Sequence, residues 1–220
     1  MTLVLHKVDR SPPVRAVLMT IEILDLKYKP VEVDTLAGEH LKPEYLEKNP
    51  MHTVPLLEDG EFPLADSHAI MTYLVSKYGA EKHKELYPTD LNIRATINQR
   101  LYFEAGVLFP KIMAMSRPMF RKETNGPNQQ HIEDTEDAYG VLERYLQKSK
   151  FLAGDHLTLA DISIVATIST YEILIPVTDK YPNLVQWLNV MKNYDFYKKA
   201  NEPGLLQIKE ILTELLNQQI

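Results

Sequence analysis

The apolar positions change their period once along the chain. Leu3-Val4-Leu5 is a short apolar run that stops at Asp9-Arg10-Ser11-Pro12-Pro13, which predicts a strand, a turn and a helix start. Val14, Val17, Leu18, Ile21 and Leu24 then recur at helical spacing, and Tyr28 to Val33 alternates as a strand does. Glu39 to Leu46 predicts a short helix. Thr53 to Leu57 predicts a strand that turns at Asp59-Gly60 into a second strand through Phe62 and Leu64. Ala65-Asp66-Ser67 opens a helix carrying Ile70, Tyr73, Leu74 and Tyr78. The order βαβ, a linking segment, then ββα predicts a small α/β sheet.

After Tyr78-Gly79 the strand pattern ends. A charged stretch with Pro88 predicts a linker over 81–90, dividing a domain of residues 1–80 from an all-helical domain of residues 91–220. Ile93, Ile97, Leu101, Glu104 and Leu108 begin one long helix, which Pro110 and Pro118 should kink or break. Further helices are expected over Ile132 to Leu146, Leu159 to Ile175, Asn183 to Met191 and Leu205 to Leu216. The Leu159 helix is the most apolar and is expected at the centre of its domain.

Composition narrows the chemistry. The 220 residues include no cysteine, which excludes disulfides, thiolate metal sites and a cysteine nucleophile. A net charge of −6 argues against nucleic-acid binding through a basic face. No apolar run approaches about 18 residues, so no membrane span is expected. Lys7, Asp9 and Arg10 arrive too early for a secretory segment, so a cytoplasmic location is expected. The 8 glycines form neither a dinucleotide fingerprint nor a P-loop.

Three segments carry candidate chemistry. Ser11 before Pro12-Pro13 reads as a helix cap, but the two prolines bring no N–H, which leaves the hydroxyl partly free to donate to an anion at a helix N-terminus. Pro55 at a strand start points to an edge or a special turn, and a cis bond there would turn the backbone of Val54 outward for an extended peptide. His52 by itself reads as an ordinary surface histidine. Asp66-Ser67 again reads as a cap, or as a grip on an α-amino acid head group: Ser67 for the carboxylate, Asp66 for the ammonium. Together they describe one ligand with an amino-acid head, a peptide middle and an anion near Ser11, a description that glutathione fits.

The segments SPPVRA (11–16), EYLEKNPMHTVPLLEDG (44–60), DSHAI (66–70) and FLAGDHLTLADISI (151–164) carry a resemblance over essentially the whole chain to the cytosolic glutathione transferases, and most of all to the insect delta/epsilon type, epsilon in particular. The resemblance implies an N-terminal thioredoxin-like domain followed by a helical bundle that supplies a hydrophobic site. It implies an enzyme that joins the glutathione thiolate to hydrophobic electrophiles in detoxification, with peroxidase or dehydrochlorinase side activity open to it, glutathione as co-substrate, no metal and a homodimer. Ser11 is then the catalytic donor to sulfur. His40 and His52 lie at the glycyl end, Val54 with a cis Pro55 pairs with the cysteinyl unit, and Asp66, Ser67 and His68 hold the γ-glutamyl end. Lys111 falls where relatives often carry arginine. The apolar site is expected from Pro13, Leu36, Leu108, Ile112, Met115, Met119, Phe120 and Leu206, with Met113 packing in the core. Ile112 at the pocket base, where steroid-linked relatives are acidic, weighs against that role. Thr158 to Asp161 reads as a capping box and Trp187 as a packing anchor. The rival reading is a non-catalytic carrier of hydrophobic ligands on the same fold. A disulfide oxidoreductase would need cysteine where this chain has Ser11.

Overall fold

The computed structural model describes residues 2–217. Strands β1 (Leu3–Lys7), β2 (Tyr28–Glu32), β3 (Leu56–Asp59) and β4 (Phe62–Ala65) form one sheet in the order β2-β1-β3-β4. β1 pairs parallel with β2 and antiparallel with β3, and β3 pairs antiparallel with β4. Helix α1 (Pro12–Ile23) makes the crossover between β1 and β2, α2 (Pro43–Leu46) follows a short 3-10 turn, and α3 (Ser67–Tyr78) closes the domain. The helical half consists of α4 (Leu91–Phe103), α5 (Phe109–Phe120), α6 (Gln129–Leu146), α7 (Leu159–Leu174), α8 (Pro182–Asn193), α9 (Asp195–Ala200) and α10 (Glu202–Leu216). No helix among the described residues is long and apolar enough to cross a membrane.

Four local features depart from the expected pattern. The strand expected from Thr53 begins only at Leu56. Pro55 brings no donor to a ladder, and the Thr53 carbonyl is taken by side chains, accepting from the Tyr45 hydroxyl at 2.6 Å and Asn49 Nδ2 at 2.8 Å. Pro110 and Pro118 do not break the long helix. A π turn over Glu104–Leu108 joins α4 to α5, Pro110 falls in the first turn of α5, and Pro118 is carried inside it. Helix α9 has no counterpart in the apolar pattern; six residues are too few to show a period. The connection over 81–90 carries a 3-10 turn with His83 and Leu86 buried.

One apolar core runs through both halves, from Leu5, Val17 and Leu74 to Leu101, Ile164 and Trp187. Helix α7 is buried from Leu159 to Tyr171, and its polar side chains meet charged groups of its neighbours. Ser163 Oγ lies 3.0 Å from His68 Nε2, and Thr167 donates to Glu104 Oε1 at 2.5 Å. Glu104 Oε2 is 2.9 Å from His68 Nε2, so the ion pair spans the two halves. At its N-terminus the buried Asp161 accepts four hydrogen bonds, from the N–H of Leu152 and Thr158, the Thr158 hydroxyl and the Trp187 indole, at 2.9–3.0 Å. The capping box is therefore also a tie to α8.

Both clusters should be visible in stability. Asp161→Ala leaves those donors unsatisfied and should lower the unfolding free energy by about 3 kcal/mol or more, with glutathione affinity of the folded protein unchanged; equal stability with weaker affinity in urea and binding titrations contradicts this role. For His68, burial draws the imidazole down, but the Asp66 and Glu104 carboxylates outweigh it and lift the group to about 9 from 6.5. A raised folded value means the stabilisation is full below about pH 6.5 and lost as pH climbs through 9. The stability gap between wild type and His68→Gln, measured by urea unfolding across that range, should narrow by about 3 kcal/mol; a constant gap contradicts the ion pair.

Candidate active site

A cleft of about 500 Å³ lies between the two halves. One wall comes from loops of the sheet domain and is polar. The other comes from α5 and α10 and is mostly apolar.

Ser11 stands in extended conformation just before α1, and its side chain caps nothing. Pro12 and Pro13 occupy the first helical positions, so the hydroxyl faces the cleft beside a helix end stripped of two donors. His40 and His52 line the cleft with ring centroids 6.3 Å apart, and His40 Nδ1 is buried without a partner. Asn49 and Tyr45 hold the loop that follows. Asn49 Oδ1 accepts from the Met51 N–H at 3.1 Å while both residues donate to the Thr53 carbonyl. This sets Val54 just outside the ladder, before a cis bond to Pro55.

Asp66 is the N-cap of α3, its φ at +72° in the left-handed region. Its Oδ1 accepts from the N–H of His68 at 2.9 Å and of Ala69 at 3.1 Å. Burial pushes the carboxyl up, but His68 and the helix-end amides outweigh it, so Asp66 titrates below the ordinary carboxylate range and is charged. Ser67, buried, opens the helix beside it. This corner therefore presents a carboxylate next to the N–H and hydroxyl of Ser67, the arrangement that suits a ligand carrying both an ammonium and a carboxylate.

His68 lines the cleft, but its ring is engaged by Asp66, Glu104 and Ser163 across the junction. Lys111 does not reach the cleft. It lies about 200° around α5 from Phe109 and pairs with Asp134 at 3.1 Å.

The apolar wall differs from the expectation in its register. Pro13, Ile112 and Phe120 line the cleft. Leu108, Met115 and Met119 are instead core residues, at 0%, 1% and 0% exposure. Phe109, Met113, Ser116 and Arg117 line it in their place, so Met113 is a wall residue rather than only core packing. The cleft face of α5 is 109, 112, 113, 116, 117 and 120, a clean helical stripe. The stripe Ile97, Leu101, Glu104, Leu108, Ile112, Met115 and Met119 keeps its helical spacing through the π turn and is buried along its length, so it is the core face, and the cleft takes the face beside it. Leu36, 71% exposed, points away while Thr35 lines the cleft. Leu206, 59% exposed, is about 200° around α10 from Ile208, which with Leu212 closes the wall.

Arg10, Thr35, Glu104, Arg117 and Thr170 also line the cleft, and none stands out in the sequence as a site residue. Glu104 alone carries a visible signal, a carboxylate on the apolar stripe of a helix, which demands a partner. Among the described residues no group of three or more His, Cys, Asp or Glu side chains is placed to hold a metal ion.

Comparison with known proteins agrees with this arrangement. Residues 5–82 match the family model of the glutathione S-transferase N-terminal domain, and residues 106–194 match that of the C-terminal domain. The chain is 42% identical over 222 residues to glutathione S-transferase 1 of Manduca sexta, covering 99% of this chain and 100% of that protein. It superposes on an epsilon-class glutathione S-transferase of the housefly Musca domestica with a TM-score of 0.94 at 42% identity, covering 100% of both chains. A glutathione transferase homologue of Drosophila mojavensis, solved with bound glutathione, gives 0.92 at 39% identity over 97% of each chain. With both family models matched in order, and full-length relatives on the same fold, the chain belongs to the glutathione S-transferase family.

Proposed function

We propose that the cleft seats glutathione with its thiol at Ser11 and joins it to hydrophobic electrophiles. The observation that carries this is the Ser11 hydroxyl, uncommitted to its own helix, at the meeting line of a polar wall and an apolar one. Glutathione lies along the polar wall: its γ-glutamyl ammonium at Asp66, that end's carboxylate at Ser67, its cysteinyl unit along the Val54 backbone, its glycyl carboxylate toward His40 and His52. The electrophile lies against Phe109, Ile112, Met113 and Phe120, where methionine adapts to varied shapes.

A free thiol has a pKa of about 8.5 and is only a few per cent ionised at neutral pH. The Ser11 hydroxyl donates to the sulfur and favours the anion; the proton passes to solvent. The thiolate attacks an electrophilic carbon, forming the C–S bond as the leaving group departs or as a conjugated double bond takes up the electron pair and a proton. An apolar wall discriminates weakly, which fits detoxification of many electrophiles. A homodimer in the cytoplasm completes the reading, with the exposed Leu91 and Tyr102 on α4 and Phe62 on β4 as surface for a second copy.

Ser11→Ala separates this reading from a carrier. Turnover with an activated chloronitrobenzene should fall at least about tenfold, while the glutathione Kd measured by calorimetry changes less than about threefold. Unchanged turnover removes Ser11 from the chemistry.

A further inference from the structure

Helix α1 carries a second unusual group one turn beyond Ser11. The Arg15 N–H donates to the Ser11 carbonyl at 3.0 Å, and its side chain runs into the junction with 0% exposure. Its partners are all neutral. Nη1 donates to Asn201 Oδ1 at 2.6 Å and to Ser169 Oγ at 3.3 Å; Nη2 donates to the Ala166 carbonyl at 2.9 Å and to the Thr170 hydroxyl. Nε has no partner, and no carboxylate reaches the guanidinium among the described residues. Tyr197 on α9 is its titratable neighbour, a phenol that burial keeps neutral. The backbone at Gly204, where a Cβ would stand 2.9 Å from Arg15 Cδ, packs close against the group and seals it from water.

We propose that Arg15 is a positioning residue for the thiolate, its unneutralised buried charge supplying the positive potential that Pro12 and Pro13 take away from the α1 N-terminus. Helix ends usually favour anions through free N–H groups; here the first two are missing. Thr170, which Arg15 holds, itself lines the cleft, so the charge lies one side chain behind the wall. The carboxylates at the cleft, Asp66 and Glu104, both pair with His68, and neither touches Arg15. Burial lowers Arg15 to about 9, so it is charged at neutral pH. A charge on the order of 10 Å from an anion, at an effective dielectric of about 20, moves its pKa by about one pH unit.

This role rests on the reading that the cleft ionises glutathione, and its test separates the two. Asn201→Asp sets a carboxylate against Nη1 with no change of shape and neutralises the charge in place. The probe is the ultraviolet thiolate band of bound glutathione followed against pH, with S-methylglutathione, which has no thiol, as the binding control. Asn201→Asp should raise the midpoint by about one pH unit, keep or raise the melting temperature, and leave S-methylglutathione affinity within about twofold. Arg15→Gln should raise the midpoint equally while lowering the melting temperature; if it does not fold, Asn201→Asp decides alone. A wild-type midpoint near neutral pH that Asn201→Asp leaves in place overturns the role of Arg15 and spares the function. A wild-type site that binds glutathione only as the thiol overturns both.

Discussion

Helix α7 has no solvent-facing side from Leu159 to Tyr171, and a helix buried all round must satisfy every polar side chain against its neighbours. Ser163 and Thr167 meet the His68–Glu104 pair, and Ser169 and Thr170 meet Arg15. His68 and Arg15 belong to the sheet domain, so the polar residues of α7 act as a docking pattern for that domain. A shift of the two halves by one helical turn would leave buried charges facing apolar side chains. The pattern therefore fixes the relative placement of the halves, and with it the width of the cleft between them.

The same junction divides the labour of the cleft. Its polar wall is made of chain ends and turns: the start of α1, the loop held by Tyr45 and Asn49, and the cap of α3. These are places where side chains such as Ser11 and backbone groups such as those of Val54 are not used up by the fold and can serve a peptide-like ligand. Its apolar wall is one stripe of α5 completed by Ile208 and Leu212 of α10. Rigid recognition on one side and permissive packing on the other suit an enzyme with a fixed co-substrate and a variable partner.

Much of this arrangement is legible in the order of the residues. Strand alternation, turn dipeptides and caps place the sheet and most helices, because those signals are local. Ser11, Asp66 and Ser67 are legible as helix-start residues with spare chemistry for the same reason, although only Asp66 makes cap bonds with its side chain. The apolar wall is not, because α5 is apolar on two adjacent faces and its period does not tell which of them the cleft takes: Met115 goes to the core and Met113 to the cleft. Arg15 looks like an ordinary position between Val14 and Val17. Its partners lie 151 to 186 residues further along the chain, beyond any local pattern. Asp161 is legible as a cap but not as the acceptor for Trp187, again a contact between distant segments.

If the cleft turns a bound thiol into a thiolate, ionisation must release a proton. Proton release can be counted by calorimetry in buffers of different ionisation enthalpy. At pH 7 glutathione binding should release more than about half a proton per site beyond S-methylglutathione, as a thiol pKa brought below about 7 requires. Equal proton release for the two ligands would show that the sulfur stays protonated and would contradict thiolate formation in this cleft.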